Sequence, residues 1–142
     1  MNNQPDPGVE PRHRNILIIW AAILMLVPMY LVLTRMNSVP PDPEKSTLSL
    51  MLTGLSIVPV AISFLVKQKL LAKAAELQKL ELVQQAYVVA FVLCEAASLL
   101  GLVTYFVTGS PYYLAGIAIG ALGLLLHFPR KQHLLDATYK KL

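Results

Sequence analysis

Apolar residues in this chain follow neither the alternation of a strand nor the scatter of a globular core. They gather into four blocks, at about residues 15–34, 48–66, 86–107 and 111–128. As helices these would measure roughly 27 to 33 Å, the depth of the hydrocarbon core of a bilayer. The pattern predicts an all-α, polytopic membrane protein with four transmembrane helices in two hairpins. A signal peptide is the competing reading of the first block, but its apolar run is too long and no small-x-small cleavage site follows. The first helix is expected to be retained.

The connecting segments differ in kind. Residues 1–14, MNNQPDPGVEPRHR, carry three prolines and little that is apolar, and are expected to form a disordered cytoplasmic tail. The first loop contains Pro40, Pro41 and Pro43, which favour an extended connection. Between Pro59 and Gly101 there is no Gly, Pro, Asn or Asp, so the next turn must form without a standard breaker. Within residues 67–85, Leu70, Leu71, Ala74 and Leu77 share a helical face opposite Lys69, Lys73 and Glu76, which predicts an amphipathic extension of the second span. Its turn is expected near residues 78–82. A faint repeat pairs Lys67, Gln68, Leu70 and Leu71 with Lys131, Gln132, Leu134 and Leu135 at a constant offset, as tandem hairpins would. Pro28 and Pro59 lie inside spans, where proline kinks a helix.

Composition and charge then set orientation and exclude classes of function. The 142 residues are 56% hydrophobic and 14% charged, against roughly 25% charged in ordinary soluble domains. A soluble enzyme is excluded on that ground. Arg12 and Arg14, then Lys67, Lys69, Lys73 and Lys79, then Arg130, Lys131, Lys140 and Lys141 fall on one side, against Arg35 and Lys45 on the other. The excess marks the cytoplasm. Both termini are therefore expected there, with residues 129–142 a basic tail and a prokaryotic inner membrane the expected location. The basic residues are too sparse for nucleic-acid binding. The histidines lack metal-ligand spacing, with His127 read as an ordinary interfacial side chain, and no metal or cofactor is expected. Trp20, Tyr105, Tyr112 and Tyr113 fall where interfacial aromatics anchor spans.

Glu95 is the only acidic residue inside any of the four blocks. An ionised carboxylate at that depth costs at least a few kcal/mol, so it is expected to be neutral and to face the bundle. Either it marks a proton or ion site, with Ser98 as neighbour, or it donates a hydrogen bond to Ser98, Tyr105, a carbonyl or another subunit. Ala90, Cys94, Ala97 and Gly101 form a small-residue stripe on the third span, and Gly116, Gly120 and Gly123 one on the fourth. Such stripes let helices approach closely, within one chain or between chains. Cys94 is the only cysteine, so an intramolecular disulfide is impossible, and it reads as a small hydrophobe.

The segment CEAASLLGLV, residues 94–103, resembles the carboxylate-bearing helix of rotary ATPase proteolipid (c-type) subunits through Glu95, Ala96, Gly101, Leu102 and Val103. That resemblance implies an ion-binding role for Glu95. The chain departs from the family in having one glycine, Gly54, where the preceding helix should have a glycine ladder, and a lysine-rich segment in place of the polar Arg-Gln-Pro loop. Two functions are thus expected to compete. One is an accessory, scaffolding or assembly subunit in a homo- or hetero-oligomer within the lipid bilayer. The other is a proton- or cation-coupled translocation element using Glu95. An enzyme is not expected, because the spans offer no set of nucleophile, base and oxyanion donor.

Overall fold

The computed structural model describes residues 8–138, and these residues form helices and connecting turns with no strand. Helix α1 covers Val9–Leu24, α2 Leu26–Met36, α3 Ser46–Leu55 after a short 3₁₀ turn at Pro43–Lys45, and α4 Ile57–Leu77. Helix α5 covers Leu80–Thr108, α6 Tyr113–Leu126 and α7 Lys131–Thr138. Three stretches are long and apolar enough to cross a membrane: Val9–Met36, Pro43–Leu77 and Leu80–Thr108. A fourth is added if α6 and α7, bent by 47° at their junction, are counted together.

Prolines set the breaks. Pro28 has no N–H to give the Leu24 carbonyl, and Pro59 none to give Leu55, and these are the residues at which α1 and α3 end. Met25 and Ser56 nonetheless keep right-handed helical torsions, so each span loses a bond without reversing direction. Pro129 acts more strongly. It follows the end of α6, and the chain restarts as α7 at an angle.

Both ends of the chain differ from the sequence-based expectation. Helix α1 begins at Val9, because Pro11 in the first turn sacrifices only an N–H that would be unpaired anyway, and Glu10 suits the helix N-terminus. Its first turns have partners: Glu10 pairs with Lys131, and Arg12 with Gln84 and Glu81. Residues 9–14 are therefore helix where a disordered tail was expected, while residues 1–7 lie outside the described part. The basic tail likewise contains α7, whose Leu134 and Ala137 are fully buried. Residues 139–142 lie outside the described part.

Helix α5 is the centre of the bundle, contacted by α1, α2, α3, α4 and α6. Its small residues are why. A Cβ on Gly101 would lie 2.6 Å from the Ile117 backbone nitrogen, and one on Gly116 would lie 2.7 Å from the Gly101 Cα. The two small-residue stripes thus meet each other within the chain. The α4–α5 turn uses Gln78 in the left-handed region at φ 50°, with Lys79 extended, inside the window expected from the sequence. At the opposite end Gly109 adopts φ 62° with the Pro40 backbone against it, leaving no room for a side chain. There the Asp42 N–H donates to the Thr108 carbonyl at 3.0 Å, holding the proline-rich loop on the end of α5.

Candidate functional site

Two polar groups of side chains lie inside the bundle, on different faces of α5. The first is built on Glu95. Tyr30, delivered by α2 and almost fully buried, donates its hydroxyl to Glu95 Oε1. Glu95 Oε2 is buried and has no hydrogen-bond partner. The bond joins the first and third of the stretches long and apolar enough to cross a membrane, a partner not among those considered from the sequence. Ser98, one turn away, faces α6 instead and donates to the Ile117 carbonyl at 3.5 Å. Tyr105 donates to the Asn37 carbonyl and accepts from Val39 N–H at 3.3 Å, fastening the first loop. Glu95 and Ser98 therefore serve different neighbours.

The stripe residues Ala90, Cys94, Ala97 and Gly101 are all buried, as are Gly116, Gly120 and Gly123. Cys94 faces Gly123, where a Cβ would lie 2.8 Å from its sulfur. Trp20, expected from the sequence as an interfacial anchor, makes contacts inside the bundle. Its Nε1 donates to the Leu124 carbonyl at 2.8 Å and its ring meets Phe128 edge-on at 5.1 Å, so it joins α1 to α6.

The second group went unnoticed in the sequence. His127, read there as interfacial, is fully buried, with Nε2 at 2.7 Å from Ser63 Oγ and its ring at 4.3 Å from that of Phe64. Ser63 Oγ lies 3.7 Å from Cys94 Sγ and donates to the Val60 carbonyl at 2.6 Å. With that donation the hydroxyl accepts from His127, which places the ring proton on Nε2 and leaves Nδ1 buried without a partner. A signal did exist: the offset relating Lys67 to Lys131 also pairs Ser63 with His127. Nearby, Lys67 Nζ sits 4.3 Å above the Tyr87 ring, and the Tyr87 hydroxyl lies 2.6 Å from His133 Nδ1 and accepts from Arg130 N–H at 2.9 Å.

The chemistry open to these groups is narrow. A serine and a histidine at 2.7 Å have the separation of a nucleophile and its base, and both are buried in the bundle. Among the described residues no three His, Cys, Asp or Glu side chains converge as metal ligands would. Both groups make hydrogen bonds between helices, and Glu95 Oε2 has no partner among the described residues. No family model matches the chain, and neither does any curated protein or solved structure.

Proposed function

We propose that this is a four-span integral membrane protein of a prokaryotic inner membrane, with both termini cytoplasmic, acting as an accessory, scaffolding or assembly subunit rather than an enzyme. The observation that carries this reading is the Tyr30–Glu95 bond, which spends the one membrane carboxylate on joining the first span to the third. A chain whose interior polar groups hold its own helices together presents a rigid, lipid-facing exterior to other membrane subunits. Partners, whether copies or different chains, would meet that exterior, since the small-residue stripes are occupied within the chain.

A second reading keeps Glu95 as a proton or cation site, in line with its resemblance to the c-type carboxylate helix. Its support is the buried Oε2 that no group among the described residues satisfies.

One substitution separates the two. Gln preserves the shape of Glu and accepts from Tyr30 but cannot exchange a proton. The accessory reading expects Glu95→Gln to assemble and function normally in a growth assay, and Glu95→Leu to loosen the bundle by about 1 to 2 kcal/mol. A Glu95→Gln protein that inserts and assembles but loses activity or liposome flux would overturn that reading in favour of the second.

A further inference from the structure

Between the start of α1 and the first turns of α5 lies an open cleft of about 350 Å³ lined by Arg12, Glu81, Gln84, Gln85, Val88 and Val89. Its polarity is graded. Glu81, Gln84 and Gln85 occupy the first turns of α5, and Val88 and Val89 follow one turn deeper, about 12 Å from the top of the wall to the bottom. Val92, a turn further along the same helix, is 55% exposed and continues the apolar track.

Arg12 and Glu81 face the cleft as a loose pair that leaves guanidinium donors and a carboxylate oxygen available. The nearest approach of guanidinium to carboxylate is 3.9 Å, and the other contact of Arg12, to Gln84 Oε1, is long at 3.4 Å. A guanidinium has five donors, and a close carboxylate pair would be bidentate below 3 Å. The Glu81 side chain is 76% exposed. One cation, one anion and two carboxamides thus sit above an apolar wall, at the level where a span leaves the hydrocarbon.

The geometry points to a binding site for one zwitterionic phospholipid, phosphatidylethanolamine. The phosphate accepts from Arg12 and from the carboxamide N–H groups of Gln84 and Gln85. The primary ammonium donates to Glu81, and an acyl chain lies along Val88, Val89 and Val92. Phosphatidylglycerol would offer Glu81 no cation beyond the loosely paired Arg12, and the trimethylammonium of phosphatidylcholine cannot donate a hydrogen bond to it. The inference rests on the membrane placement of the chain and not on the accessory role.

The test is native mass spectrometry of the full chain released from nanodiscs holding equal amounts of the three lipids, with helicity checked by circular dichroism. Phosphatidylethanolamine should be retained about fivefold over the other two, the upper range of one exposed ion pair. Glu81→Gln should remove the advantage over phosphatidylglycerol, and Arg12→Gln should weaken retention of all three. Val88→Trp, which fills the lower cleft, should release the lipid while helicity stays unchanged. Equal retention of the three lipids by the native chain, or an unchanged preference in Glu81→Gln, overturns the site. Competition by free phosphoethanolamine as strong as that by the lipid overturns the acyl track. A chain that fails to stay with the membrane fraction would instead refute the membrane placement.

Discussion

The imidazole of His127, at the end of α6, is held to the hydroxyl of Ser63 on α4 across 2.7 Å in a site closed to solvent. Removing one partner leaves a buried donor unsatisfied, while removing both need not. Ser63→Ala should therefore destabilise the bundle by about 1 to 2 kcal/mol in an SDS unfolding titration. Adding His127→Phe to Ser63→Ala should recover most of that loss, and a double variant as weak as the sum of the singles would show the pair is not coupled.

The Tyr30–Glu95 bond should behave as a pair as well. A cycle of Tyr30→Phe, Glu95→Leu and the double variant should give a coupling of about 1 kcal/mol, the range seen for hydrogen bonds between membrane helices. Additive losses in the same titration would mean that the first span is held by its apolar contacts alone.

Glycines should divide by place. At Gly101 an added methyl meets only backbone of α6, at 2.6 to 2.9 Å, so Gly101→Ala must push the helices apart and should cost about 1 to 3 kcal/mol. Gly54 has nothing within 4 Å of the same position. Gly54→Ala should be neutral or stabilising by about 0.5 to 1 kcal/mol through helix propensity. Thermal aggregation of the two variants side by side checks the contrast.

Asp42 gives the pH dependence of the proline-rich loop. The hydrogen bond from Lys45, at 3.1 Å, holds its carboxyl below the ordinary carboxylate range, aided by the Glu44 N–H. A lowered folded-state value means that the contribution to the 3₁₀ turn is present above the ordinary carboxylate value and is lost as pH falls through the folded one. Carboxyl NMR titration should place Asp42 below a free aspartate, and Lys45→Met should move it back up.

Much of the architecture was legible because burying a backbone in lipid demands long apolar helices, and prolines announce where those helices lose a bond. Pro28 and Pro59 mark the break positions four residues downstream of Leu24 and Leu55. The partner of Glu95 was not legible. Periodicity shows that a side chain faces inward but not which helix it meets, and Tyr30 is an unremarkable aromatic within an apolar run. His127 escaped for a related reason: its place beside Arg130 and Lys131 reads as a water-facing end, while Ser63 and the Phe64 ring of α4 pack against it and it is fully buried. The disorder expected at residues 9–14 failed because their polar side chains find partners on α5 and α7, information carried far along the chain.

The first span depends on groups made much later. Tyr30 meets a residue 65 positions on, and Trp20 one 104 positions on. At ribosomal speeds of about 5 to 20 residues per second, roughly 5 to 20 seconds separate synthesis of Trp20 from that of its acceptor. Through that interval the Tyr30 hydroxyl and the Trp20 indole N–H have yet to meet the partners they hold in the folded chain.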